Sequence, residues 1–343
     1  MKKVVIAKPG GFDALRVETH PDLEPKAGEV RVDVSHAGVN YADCIVRMGL
    51  YESAKKYVGY PITPGFEVAG TVGGVGAGVT EFSVGQAVYA VTRFFGYASQ
   101  VCVPRHQVVP LPQQLSPAQA AGFPTVFLTA WYALSELAHP RPGSMLLVHS
   151  AAGGVGSALC QLGKAMDCTV VGVVGSTHKI EVARAAGADH VIDKSKEKLW
   201  RRTKALSPDG YDVVLDANGV STLRGSYRAL RPTGRLVIYG FHSMLPRSSG
   251  RPNWAKLAFD FVRTPRFDPL QLTNDNKSVL GFNLSYLFER ADLLATGMDA
   301  LSDWLRRGKI RPLGTECLPF AQVAQAHQRL ESAMTTGKLV LQI

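Results

Sequence analysis

Hydrophobic and polar positions divide the 343-residue chain into two stretches of different rhythm. Up to Leu115 the apolar residues come in short, valine-rich runs separated by Gly and Pro: Val30–Val34, Val68–Val72, Ala87–Val91 and Ala98–Val103. Short alternating runs bounded by turn residues predict half-buried strands, and their number predicts a compact, partly open β-barrel. The opening KKVVIA predicts one more short strand. Beyond Leu115 the rhythm changes. Ser116-Pro117 reads as an N-cap with proline in the first helical turn, and 123–137 as a longer helix. From Ser144 strand and helix alternate: strand Met145–His149, helix Gly156–Met166, strand Thr169–Val174, helix His178–Ala186, strand His190–Ile192, strand Asp212–Asp216, a helix near Leu223–Leu230, strand Gly234–Tyr239, a sixth strand Val279–Leu284 and helix Asp292–Arg307. Such alternation predicts a doubly wound parallel sheet with right-handed crossovers. The tail from Gly308 carries two more short strands, the last at Lys338–Ile343, expected to return to the first unit. The reading is an α/β chain of two domains, 1–121 with 308–343 and 122–307.

The segment His242–Lys277 breaks the alternation with Pro246, Pro252, Pro265 and Pro269. Trp254, Phe259 and Phe261 stand there among Arg251, Lys256, Arg263 and Arg266. A basic amphipathic helix of this kind serves as a lid or a dimer surface. The alternative is a weak contact of 242–277 with an anionic membrane.

Composition narrows the classes. An apolar fraction of 46% builds a sizeable core, and 19% charged residues argue against disorder. No uninterrupted apolar run of about 18 residues occurs, so no transmembrane helix is expected. No secretory signal is visible at the start. Five cysteines without a C-x-x-C pair predict neither a disulfide framework nor a zinc ribbon, which fits a cytoplasmic protein. The formal charge of +10 suits a basic enzyme with an anionic cofactor, and no motif points to nucleic acid.

The strongest local signal is MLLVHSAAGGVGSALCQLGK at 145–164. A buried strand enters the turn Ala151-Ala152-Gly153-Gly154-Val155-Gly156, and a helix follows. Glycines let backbone approach a pyrophosphate, and the helix N-terminus offers unpaired N–H groups to it. The spacing is A-x-G-x-x-G, weak as a pattern alone and stronger for its strand–turn–helix setting. An NAD site places a carboxylate at the end of the second strand. Here that strand runs into Gly175-Ser176-Thr177-His178-Lys179, where hydroxyls and a cation suit a 2′-phosphate. Ser176 and Lys179 therefore point to NADPH.

With these residues in view the chain resembles the zinc-free quinone oxidoreductase branch of the medium-chain dehydrogenases/reductases, near the vesicle amine transport protein homologues. The stretches that carry the resemblance are AGVNYADCIVRMGLY (37–51), PGFEVAGTV (64–72), GFPTVFLTAWYAL (122–134), the AAGGVG turn and FDPLQLTNDNKSVLGFNLSYL (267–287). It implies a GroES-like barrel carrying catalysis and a Rossmann domain holding the nucleotide. Zinc-dependent members have metal ligands where this chain has Asn40, Phe66 and the Gly122-Phe123 region. None of these supplies the converging N, S or O side chains that a catalytic zinc requires. The resemblance gives Tyr51 the role of hydrogen-bond donor to the oxygen of a quinone or enone, and Asn40 that of orienting nicotinamide ribose or substrate. It places Thr129 beside the nicotinamide and Asn218 near the ribose. Phe282, Asn283 and Leu284 would line the nicotinamide pocket through their backbone, and Lys338 would close the cofactor cleft. A homodimer through the sixth strand is the implied assembly, and the alternative to a reductase is a non-catalytic NADPH-binding protein of the same fold, membrane-associated or RNA-binding.

Overall fold

In the computed structural model, which describes residues 1–246 and 249–343, the valine runs form one curved, mainly antiparallel sheet. A small ribbon of β1 (Lys2–Val5) and β2 (Arg16–Thr19) precedes it. The sheet is built on β3 (Glu29–Val39), β4 (Glu67–Val75), β5 (Ala87–Val91), β6 (Gln100–Pro104) and β7 (Val108–Pro110). The long β3 pairs with β4 and with β6, and its register with β4 shifts twice, between Arg31 and Val32 and between Val34 and His36. Such irregularities bend a strand, and here they let one strand serve two neighbours. Val30, Val32 and Val34 point into a core with Val68, Val72, Val88 and Val101.

The second unit is a parallel sheet of β8 (Met145–His149), β9 (Thr169–Val174), β10 (His190–Asp193), β11 (Tyr211–Asp216), β12 (Leu230–Ile238) and β13 (Ser278–Gly281). Their spatial order is β10-β9-β8-β11-β12-β13, with every pairing parallel. Alternate residues of each strand enter different cores. Leu146 and Val148 pack with Leu159 and Leu162 of the helix Gly154–Ala165, whereas Leu147 packs with Leu223 and Tyr227 of the helix Leu223–Ala229. That is the doubly wound Rossmann architecture, with its switch point between β8 and β11. The tail returns to the first sheet. There β14 (Thr315–Pro319) lies parallel to β15 (Lys338–Gln342), which pairs antiparallel with β3.

Local differences from the sequence reading have physical reasons. The helix expected over 123–137 is α-helical only at Pro124–Trp131, then widens into a π-turn at Tyr132–Ala138 that ends on left-handed His139. The sixth strand stops at Gly281 because Asn283 caps the 3-10 turn Leu284–Glu289, its side chain accepting from Ser285 N–H at 2.9 Å. Within 242–277 two helices form, Trp254–Arg263 and Pro269–Asp275, capped by Asn253 and Asp268. Helices Tyr41–Arg47, Glu52–Tyr57, Leu199–Leu206 and Val323–Glu331 were not read from the sequence.

Candidate active site

The glycine turn sits at the carboxyl end of β8. Ser150 is left-handed (φ 57°), which swings the chain out of the strand. Gly153 then caps the helix Gly154–Ala165. A Cβ at Gly156 would fall 2.1 Å from the Ser150 carbonyl oxygen, so only glycine permits this approach of helix to strand. A Cβ at Gly154 would meet Val126 at 2.9 Å. Ala152 is buried and Val155 half-buried, which keeps the turn rigid. The first-turn N–H groups of this helix lack partners within it, the arrangement that suits an anion at a helix N-terminus.

Asn218, just past β11, lies beside that turn. Ser150 Oγ donates to its Oδ1 at 3.1 Å, and its own N–H donates to Asp216 Oδ1 at 2.8 Å. Its Nδ2 is buried and has no partner among the described residues. A buried donor left unsatisfied costs free energy unless a ligand accepts from it. With the glycine turn, this donor fits a bound dinucleotide.

The end of β9 carries Ser176 and Lys179, the residues expected to meet a 2′-phosphate. Ser176 precedes the 3-10 turn that carries Lys179, whose ammonium donates to the Ala333 carbonyl at 2.6 Å. Burial, and then the charge of Lys194, lower the Lys179 pKa. Lys194 follows β10, its N–H donating to Val174 O at 3.1 Å, and its Cε lies 3.8 Å from a Cβ built on Gly175. Two lysines therefore flank the end of β9, and the Asp193 carboxylate beside Val174 is taken up by Thr177 Oγ1 at 2.7 Å and Ser195 Oγ at 2.6 Å. Lys194 was missed in the sequence because it is some 15 residues beyond Lys179, and only the β9–β10 pairing brings them together.

At the nicotinamide end Tyr51 meets the Rossmann unit. Its hydroxyl donates to Asn283 Oδ1 at 2.8 Å and lies 3.0 Å from Ser285 Oγ. Burial raises the phenol pKa, against the Ser285 and Asn283 hydrogen bonds. The ring lies edge-on to Phe66 at 5.8 Å and Phe94 at 6.3 Å. The Asn283 side chain is engaged here as well, the same amide oxygen capping the following turn. Phe282 stacks near Tyr132 and Tyr239, with its N–H on the Ile238 carbonyl, and Leu284 packs against the core. Thr129 Oγ1 donates to Thr125 O at 2.7 Å, so this hydroxyl's proton is spent within its own helix.

Between the two ends lies a buried polar cluster. Lys338 Nζ donates to Val39 O (2.9 Å), Asn40 Oδ1 (2.8 Å) and Glu67 Oε1 (2.7 Å). Asn40 Nδ2 also donates to Glu67 Oε1, and Thr125 N–H to Glu67 Oε2, both at 2.8 Å. The Lys338 side chain is 3% exposed and Glu67 0%. Lys338 was expected to close the cleft. It does border the glycine turn, since Gly337 pairs with Gly153, but its charge is turned inward. Asn40 has one amide oxygen and one N–H already committed, and also forms a capping box with Asp43. Among the described residues no three His, Cys, Asp or Glu side chains are grouped to hold a metal. A cavity of about 500 Å³ lined by Arg105, His106, Met298 and Asp299 lies apart from these groups.

Comparison with known proteins agrees with this geometry. A family model for an alcohol dehydrogenase GroES-like domain matches residues 26–113, and one for a zinc-binding dehydrogenase matches 186–341. The chain is similar to the synaptic vesicle membrane protein VAT-1 homolog of Danio rerio, 33% identical over 99% of this chain and 69% of that protein. It is equally similar to a quinone oxidoreductase of Pseudomonas aeruginosa, 33% identical over 99% of each. The Escherichia coli quinone oxidoreductase complexed with NADPH superimposes with a TM-score of 0.86 at 26% identity, over the whole of both chains.

Proposed function

The chain belongs to the quinone oxidoreductase branch of the medium-chain dehydrogenases/reductases and is an NADPH-dependent oxidoreductase, and from that premise we propose a zinc-independent reductase acting on a quinone or an α,β-unsaturated carbonyl. The observation that carries the reading is the Lys338 ammonium seated against Glu67 and Asn40. A cation already neutralises the carboxylate, and Phe66 brings a hydrocarbon ring to the neighbouring position. Together they supply no converging ligand set for a dication, whatever the name of the matched family model.

NADPH, when bound, supplies hydride. The residues supply the rest. Gly153, Gly154, Val155 and Gly156 seat the diphosphate on N–H groups beside buried Ala152, and Asn218 donates to the ribose side. Ser176, Lys179 and Lys194 neutralise the 2′-phosphate. Phe282 and Leu284 wall the nicotinamide side, with Thr129 on the opposite helix. Tyr51 donates a hydrogen bond to the acceptor oxygen as negative charge develops there, exchanging Asn283 for the substrate. Asn40, held by Lys338 and Glu67, fixes the start of the Tyr41–Arg47 helix and orients substrate or ribose. Solvent delivers the last proton.

The supporting experiment follows NADPH oxidation anaerobically with 1,4-benzoquinone and 2-cyclohexenone, before and after exhaustive chelation. Turnover that survives chelation is expected, and loss of turnover restored by zinc overturns the metal-free reading.

Domain limits of 1–121 with 308–343 and 122–307, a homodimer through β13, no nucleic-acid partner and a cytoplasmic location complete the proposal. A membrane contact is favoured by one observation. Trp254, Phe259, Phe261 and Val262 of the helix Trp254–Arg263 are 60–81% exposed beside Arg263 and Arg266. An apolar face edged with cations suits an anionic bilayer. Co-sedimentation with phosphatidylserine vesicles that Phe261→Glu abolishes would support it, and wild-type protein left in the supernatant would dismiss it. No helix among the described residues is long and apolar enough to cross a membrane.

A further inference from the structure

A group of donors surrounds Tyr51 that the chemistry above does not use. Ser53 is fully buried, and its Oγ lies beside the Tyr51 hydroxyl without a well-aligned hydrogen bond among the described residues. Tyr57 stands one helical turn later, on the same face, and its buried hydroxyl meets the Lys56 ammonium but likewise makes no well-aligned hydrogen bond. The Arg93 guanidinium lies over the Tyr57 ring at 4.2 Å, and the Lys56 ammonium lies 4.9 Å from the same ring and 5.0 Å from that of Tyr286. Arg93 Nη1 is buried and makes no hydrogen bond. Its nearest anion is the half-exposed Glu289, at 3.8 Å, too far to accept a hydrogen bond. Each element leads back to the Tyr51 hydroxyl. Arg93 is adjacent to Phe94, whose ring packs on Tyr51, and Tyr286 is adjacent to Ser285, which touches the Tyr51 oxygen.

Three buried donors and two cations share the half-exposed carboxylate of Glu289, and a second anion drawn in among them would satisfy them better. Resting on the reductase reading, we infer that the preferred acceptor is an enone or enal that itself bears a carboxylate. Arg93 binds the carboxylate, displacing Glu289 toward solvent. Ser53 and Tyr57 donate to its remaining lone pairs, and Lys56 adds charge at the mouth. The carbonyl of the enone is thereby left facing Tyr51. Hydride from NADPH bonds to the carbon β to that carbonyl as the C=C bond is reduced. Charge collects on the carbonyl oxygen, and a solvent proton bonds to the α carbon. NADPH leaves as NADP+.

The test compares (E)-4-oxopent-2-enoate with its methyl ester, in wild type and in Arg93→Met, with 1,4-benzoquinone as a neutral acceptor. Wild type should show a lower KM for the acid than for the ester. Loss of a hydrogen bond to a charged group should raise the ratio of acid KM to ester KM by about 10- to 100-fold in Arg93→Met. Arg93→Lys, which keeps the charge without the fork, should recover part of that ratio. Equal KM values in wild type, or a ratio that Arg93→Met leaves unchanged, overturn the inference. Calorimetry with levulinate in the presence of NADP+ reads the anion site without turnover. Heat that Arg93→Met abolishes supports the site, and absence of heat in wild type overturns it. If no acceptor oxidises NADPH, the reductase reading falls and the levulinate titration alone decides the anion site.

Discussion

Replacing Lys338 by Met should unfold more of this protein than any surface charge change, because of what it leaves behind. The ammonium makes three hydrogen bonds, to Val39 O, Asn40 Oδ1 and Glu67 Oε1. Methionine fills most of the same volume, so little of the loss is packing. Glu67 remains fully buried, with only the Asn40 amide and the Thr125 N–H to stabilise its charge. Removing one partner of a buried ion pair costs about 3–5 kcal/mol. At roughly 2–4 °C per kcal/mol, that is a fall in Tm of about 6–20 °C. Lys338→Met combined with Glu67→Gln removes the orphaned charge, and a glutamine still accepts from Thr125 N–H. The double variant should therefore be at least about 1 kcal/mol more stable than the sum of the single losses predicts. Urea unfolding followed by tryptophan fluorescence measures all three. A Lys338→Met cost below about 1 kcal/mol, or strict additivity in the double variant, would refute the argument that the pair is coupled and dry.

Gly156→Val should abolish NADPH binding, read by fluorescence titration, since its Cβ would overlap the Ser150 carbonyl; binding within a factor of two of wild type would contradict the turn's role. Tyr51→Phe should lower kcat by about 100-fold with little change in the cofactor Kd, the usual effect of removing one donor to a developing oxyanion. Unchanged turnover would remove Tyr51 from the chemistry. Lys194→Gln should raise the Kd for NADPH by about tenfold and leave that for NADH nearly constant; a parallel loss for both nucleotides would place Lys194 outside the phosphate site. Burial pushes the Asp43 carboxyl up to about 7, opposed by hydrogen bonds from Asn40, Gly65 and Tyr97. The native state then holds a proton that the unfolded chain releases above its ordinary value of 3.8. The contribution of Asp43 to stability should therefore fall as pH rises from about 4 to 7 and be constant above that. Urea midpoints of wild type and Asp43→Asn across this range should converge or diverge accordingly, and a pH-independent difference would contradict the shift.

What could be read in the chain was whatever depends on local pattern. The strands β8 to β12 announce themselves as apolar runs between glycines, and the Ala151–Gly156 turn is visible because strand, turn and helix are contiguous. The return of the tail to the first unit was expected as well, but that β3 receives β15 was not. What stayed hidden depends on distant segments meeting. Lys338 looks like a solvated strand end until β15 is set beside β3, which buries it against Glu67. Lys194 comes beside the Lys179 turn only when β10 pairs with β9. The Tyr51–Asn283 bond joins residues 232 positions apart, and no spacing rule reaches that far. The exposed aromatic side of the helix Trp254–Arg263 agrees with its reading as a lid, dimer or membrane surface, but amphipathicity alone does not say which of these covers it.

The central claim is hydride transfer from NADPH in a site that needs no metal. It is tested most directly by measuring zinc content and NADPH-dependent quinone turnover on the same sample of purified protein. The account predicts full turnover with well under one zinc per chain, and no gain when zinc is added. One zinc per chain, with turnover lost on its removal and restored on its return, would contradict it.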